Sequence, residues 1–188
     1  MQQPKLYMLL LGSRPAGRNT EQHDIFFGIG EAIKDLVPAT KAFWPEAKGN
    51  LHVDAWREVT QVDGFEVKVI LRAEVSHEAA AENRLFFLNL GGYKAGEFDE
   101  FHYKMLAVAE DKKAAIRQAR QTAFYRHTGI KGAPSHIDEK FGVDVDELYQ
   151  VKDILSPAQK EHYTLAIQPG GAVPEDELHL GYFKLHKL

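Results

Sequence analysis

Two arginines and a histidine lie close enough behind one apolar run to share a site. Residues 6–11 are apolar, the spacing Gly12-x-x-x-x-Gly17 follows, Arg14, Arg18 and Asn19 fall in that loop, and Glu21 and His23 come directly after it. Guanidinium groups on a glycine loop hold phosphates and carboxylates through forked N–H donors. An adjacent imidazole adds a group that titrates near neutral pH. Arg14, Arg18 and Asn19 are therefore the candidate anion-binding residues, and His23 is the candidate acid–base. A nucleotide phosphate loop is a poorer match. That motif needs Lys-Ser/Thr after its second glycine, and Arg18-Asn19 stands there instead.

The chain carries its own control for these readings, because it repeats. Lys5-Leu-Tyr-Met-Leu-Leu-Leu-Gly12 returns as Arg84-Leu-Phe-Phe-Leu-Asn-Leu-Gly91, an offset of 79 (84 − 5). The same offset pairs Ala16-Gly17 with Ala95-Gly96, Glu21 with Glu100 and His23 with His102. Further on, Ala42-Phe43-Trp44 matches Ala123-Phe124-Tyr125, and Val53-Asp54 matches Val145-Asp146 at an offset of 92 (145 − 53). An ordered series of matches with drifting spacing is the mark of a duplicated unit. The copy keeps Gly91 and Gly96 but has Tyr93, Glu97 and Phe98 where the first unit has Arg14, Arg18 and Asn19. Any anion would thus bind the first loop only, and glycines kept without the charge indicate a shared backbone turn. The plainer reading of Arg14 and Arg18 is two solvated loop side chains.

His23 and His102, with Glu21 and Glu100, are the titratable residues at equivalent sites. A pseudo-twofold axis could join the two histidines as a metal or acid–base pair; as structural residues, each would hydrogen-bond a loop carbonyl and hold its turn. No metal and no other cofactor is expected. His52-x-Asp54 and His136-x-Asp138 look like a further pair, but strand register aligns Asp54 with Asp146 and leaves His136 in an insert, so the match reads as accidental. Asp144, Asp146 and Glu147 lack the glycine and spacing of a calcium loop. Lys112, Lys113, Arg117, Arg120 and Arg126 make one helix basic. At helical spacing they form a solvated face, and nucleic-acid binding is the weaker alternative.

The elements that must position these residues follow from periodicity. Residues 6–11 and 85–90 are apolar at odd and even positions alike, as strands covered on both faces are. Phe101, Tyr103, Met105 and Ala107 alternate with a more mixed set, so the segment after each loop reads as a strand, residues 22–29 included. Glu110-Asp111 opens a helix over 112–126 with Ala115, Ala119 and Ala123 on one face, and its counterpart spans 31–43 with a kink at Pro38. A hairpin turning at Asp63-Gly64 joins strands near 53–59 and 65–71, matched by 145–151 and 163–167 in the second unit.

Composition narrows the function. Residues 1–78 hold 9 basic and 11 acidic groups against 14 and 16 in the remainder, so neither half is a general binder of nucleic acid or membrane surface. The chain has no cysteine, which removes thiolate catalysis, disulfides and cysteine zinc sites and suits the cytoplasm. The apolar run behind Lys5 is shorter than a signal core and recurs mid-chain, and nothing approaches the roughly 20 apolar residues of a membrane span.

The string Leu10-Leu11-Gly12-Ser13-Arg14-Pro15-Ala16-Gly17-Arg18-Asn19-Thr20-Glu21-Gln22-His23-Asp24, with Lys41-Ala42-Phe43-Trp44-Pro45 and Asp54-Ala55-Trp56-Arg57-Glu58-Val59, resembles the bacterial domain-of-unknown-function family DUF1543. Leu90-Gly91-Gly92-Tyr93-Lys94 and Glu100-Phe101-His102-Tyr103-Lys104-Met105-Leu106 look like a second copy. The resemblance implies a bacterial cytoplasmic protein with two tandem copies and brings no activity.

The expected fold is α+β: tandem strand-strand-helix-strand-strand units related by a pseudo-twofold. Residues 1–78 form the first unit and 79–169 the second, with inserts at 126–142 and 156–161 and a tail at 170–188 carrying an edge strand. The expected role is a small cytosolic binding or interaction protein, its partner unassigned, with an anion-binding loop in the first unit. An enzyme using Arg14, Arg18 and His23 on a phosphorylated or carboxylated small molecule is the alternative.

Overall fold

The computed structural model describes residues 3–74, 83–93, 96–122, 145–171 and 173–188. Among these residues the protein is mixed α+β, with three antiparallel sheets and few, short helices. Two compact units are present, Met1–His77 together with Leu155–Leu188, and Glu78–Ile154. The tail after 155 thus belongs to the first unit, so the compact bodies are divided differently from the repeats in the sequence.

In the first unit, β1 (Lys5–Ser13) lies between β2 (Gln22–Gly30) and β3 (Leu51–Glu58), and β10 (His179–Lys184) closes the edge beyond β3. The interior place of β1 follows from its composition, since both faces must be covered. Tyr7, Leu9 and Leu11 enter one core with Phe26, Leu36, Leu51 and Val53, against which Ile33 and Val37 pack. Side chains alternate along a strand, so Gly12 and its cross-strand neighbours belong to the opposite face. The tail is also tied in by Asp176, whose carboxylate accepts from Thr60 N, Thr60 Oγ1 and Gln61 N.

Four expectations change here. The first helix begins as a 3-10 turn at Ile33–Leu36 and becomes α1 (Val37–Phe43) with Pro38 in its first turn. Proline starts this helix rather than kinking it, because the N–H it lacks has no intrahelical partner there. The Asp63-Gly64 turn has φ of 53° and 78° and joins β4 (Gln61–Val62) to β5 (Phe65–Leu71). Two left-handed residues suit the twist of a tight hairpin. The strand β3, however, pairs with β1 and β10 instead of β5, since Leu51 and Val53 are buried in the core of that sheet. Finally, the segment 156–161 is not an irregular insert: Ser156 caps the helix α4 (Pro157–His162) by accepting from Gln159 N at 3.3 Å. The strand after it, β9 (Tyr163–Pro169), pairs with β5 along its whole length.

In the second unit, β6 (Arg84–Tyr93) lies between β7 (Glu100–Ala109) and β8 (Val145–Gln150), which leads into the short helix α3 (Val151–Ile154). Asp111 caps α2 (Lys112–Ala119) by accepting from Ala114 N at 2.7 Å. Ala115 and Ala119 are buried against Phe86, Leu88 and Leu90, while Lys112, Lys113, Arg117 and Arg120 are exposed. The insert at 126–142, with Arg126, His136 and Asp138, lies outside the described residues, as do Ala123 and Asp144.

The registers of the two sheets correspond. Lys5↔Gly30 and Gly12↔His23 in β1–β2 are matched by Arg84↔Ala109 and Gly91↔His102 in β6–β7. The β1–β3 ladder skips one residue between Leu10↔Ala55 and Leu11↔Val53, and β6–β8 skips one between Asn89↔Glu147 and Leu90↔Val145. The residues left over by these bulges are Asp54 and Asp146.

Candidate functional site

The glycine at position 12 lies in a strand, flanked by His23 on one side and His52 on the other. It is not a turn residue, and its role is to be small. A Cβ built there would stand 2.3 Å from His52 Nε2 and 2.5 Å from Asp54 Oδ2. Both side chains therefore lean over the bare backbone of Gly12, and the β3 bulge helps direct Asp54 there, as bulges beside functional sites do. By contrast, Gly17 and Gly96 have φ of 82° and 79° with open space around them. Those two are the shared turn that the repeat implies.

Four ionisable side chains meet over Gly12. His52 Nε2 is 3.2 Å from Glu21 Oε1 and 3.2 Å from Asp54 Oδ1, and His23 Nε2 is 3.2 Å from Asp54 Oδ2 and 3.9 Å from Glu21 Oε2. Each carboxylate thus spans both imidazoles. The His52 side chain is only 6% exposed, against 25% for Asp54, 42% for His23 and 46% for Glu21. Tyr182 stacks on the His52 ring at 4.2 Å and holds it in place, and Trp56 stacks on His179 at 3.8 Å further along the same strand pair. Yet His52 Nε2 and Asp54 Oδ2 are buried and make no hydrogen bond.

The charges explain what this arrangement requires. A neutral imidazole nitrogen with its lone pair facing two carboxylate oxygens at 3.2 Å is repulsive. A proton on the facing imidazole nitrogen, or a cation between the groups, makes the contact favourable. An anion is disfavoured here. The arginine loop lies beyond the end of β1, where Arg14, Arg18 and Asn19 are all exposed and Arg14 Nε reaches the carbonyl of Arg18 at 3.4 Å.

Of the residues singled out in the sequence, Gly12, Glu21 and His23 come together. His23 faces Asp54 rather than a loop carbonyl. Gly91 pairs with His102, and Glu100 and His102 are exposed at the start of β7. His52 and Asp54, which in the sequence form only an accidental match with His136-x-Asp138, supply the other two side chains. The repeat gives His52 no support, since an offset of 92 puts Asp144 opposite it. The available signal was the spacing His52-x-Asp54 on a strand equivalent to the one in which Asp146 recurs.

Residues 18–69 match the model of a family described as Domain of Unknown Function (DUF1543). That segment contains Glu21, His23, His52 and Asp54 and stops short of Gly12. None of the curated proteins matches the chain. Among solved structures, the crystal structure of a protein Il1583 from Idiomarina loihiensis is similar, at 23% identity with 97% of each chain covered and a TM-score of 0.64. At that identity the likeness shows the fold alone. Among the described residues no helix is long and apolar enough to cross a membrane.

Proposed function

We infer that the chain is a small binding protein whose two halves are copies of one unit, and that the first copy carries its ligand site in the row of side chains over Gly12. The duplication is supported by the matched registers, the bulge at the same place in both three-strand arrays, and the antiparallel pairing of β5 with β9, the last strands of the two repeats. One observation carries the site: two carboxylates and two imidazoles are gathered over a glycine that must lack a side chain, around a buried nitrogen without a hydrogen bond. Leaving a buried polar atom unpaired costs roughly 1–3 kcal/mol, so a ligand that satisfies it gains that much. Arg14 and Arg18 form an exposed basic loop beyond the strand end, suited to an anionic portion of the same ligand.

A second reading, an enzyme acting on a phosphorylated or carboxylated small molecule, is favoured by the contact of His23 with Asp54. A carboxylate that orients an imidazole is the usual apparatus of acid–base catalysis. Arg14 and Arg18 would then hold the substrate anion.

The binding reading is tested by titrating the isotope-labelled full chain with phosphate, sulfate, acetate and methylammonium and following backbone amide shifts. The expected result is saturable shifts centred on Gly12, Glu21, His23, His52 and Asp54 with methylammonium, and on Arg14, Arg18 and Asn19 with the anions, the latter lost in Arg14→Ala/Arg18→Ala. Shifts that never saturate, or that saturate only elsewhere, would refute it.

A further inference from the structure

We propose that Glu21, His23, His52 and Asp54 bind a divalent first-row transition ion, with zinc the best match to two imidazole nitrogens and two carboxylates. The proposal rests on the binding reading above and names its ligand class. The contacts are long for charge-assisted hydrogen bonds. A charge-assisted N–H···O hydrogen bond is aligned and about 2.7–2.9 Å long. Here three N···O separations are 3.2 Å, and the buried His52 Nε2 makes no hydrogen bond with either carboxylate. Donors about 2.0–2.1 Å from a tetrahedral ion stand roughly 3.3 Å from one another, a value close to three of the four separations here.

The site is divided into a fixed half and an adjustable half. His52 is 6% exposed and stacked under Tyr182, and Asp54 is 25% exposed on the bulge of the same strand. Both donate from a central part of the sheet. Glu21 and His23 are 46% and 42% exposed at the start of β2. Among the described residues no three His, Cys, Asp or Glu side chains are arranged to hold an ion as they stand. Seating the ion therefore requires Glu21 and His23 to rotate inward, which their exposure permits, while His52 and Asp54 stay in place.

The test uses the full chain, stripped with a chelator, dialysed into metal-free buffer and titrated with zinc chloride by calorimetry, with melting temperature as a second readout. The chain has nine histidines, so comparison of variants assigns the site. The expected result is a zinc-dependent rise in melting temperature and one equivalent of tight binding that weakens at least tenfold in His52→Gln and Asp54→Asn. Glu21→Gln and His23→Gln alter exposed side chains and keep the test valid if the buried substitutions fail to fold; each should weaken zinc binding at least threefold. Zinc binding that is absent from wild type, or unchanged in Glu21→Gln and His23→Gln, would overturn the proposal. Saturable organic-ligand shifts over Gly12 without any zinc response would overturn the metal alone and leave the binding reading intact.

Discussion

Replacing Gly12 by alanine adds one methyl group where two side chains already lie. Ordinary contact for a Cβ begins near 3.4 Å, and the new atom would stand 2.3 Å from His52 Nε2 and 2.5 Å from Asp54 Oδ2, an overlap of about 1 Å with each. His52 cannot withdraw cheaply, because it is buried and stacked on Tyr182. Overpacking of this kind costs roughly 1–3 kcal/mol. Against it, alanine in a strand interior recovers about 0.5–1 kcal/mol of the entropy that glycine loses on folding. The balance is a loss of about 1–2 kcal/mol, measured by urea unfolding monitored by tryptophan fluorescence. The same substitution in a His52→Ala/Asp54→Ala background removes the obstruction, so its cost there should fall to about zero or become a small gain, and the difference between backgrounds is the coupling between these positions. Wild-type stability in Gly12→Ala, or an equal penalty in both backgrounds, would refute the close approach on which the site is built.

Two further predictions follow from the first unit. The Tyr7 phenol has its pKa raised above 10.0 by burial first and then by the Glu58 and Asp35 carboxylates; above pH about 10 the unfolded chain releases this proton while the folded chain keeps it, so stability should fall with rising pH. Urea unfolding from pH 9 to 11 should show a steeper loss in wild type than in Tyr7→Phe, and parallel curves would contradict the assignment. Residues 1–78 expressed alone lack β9 and β10, the partners of β5 and β3, and should give no cooperative thermal transition by circular dichroism; a sharp transition would show that this segment builds its core unaided.

Local features of this chain were legible because they depend on neighbours in sequence. Doubly apolar runs made β1 and β6 interior strands, alternation made 22–29 a strand, Asp111 and the alanine spacing produced α2, and Gly17 and Asp63-Gly64 marked turns. Pairings between distant segments could not be read in the same way. Residues 163–169 have the pattern of a strand whichever partner they take, and only the folded chain brings them to β5 rather than to β8. The site shows the same limit. Sequence offered Glu21 and His23, but no periodicity indicates that β3 lies across β1 from β2, so that Gly12 has a histidine on either side. The bulge that leaves Asp54 unpaired is equally invisible, since it is a mismatch between two strands and belongs to neither alone. A glycine kept at position 12 reads as a turn in one dimension. In three dimensions it is the gap in the sheet that His52 and Asp54 fill.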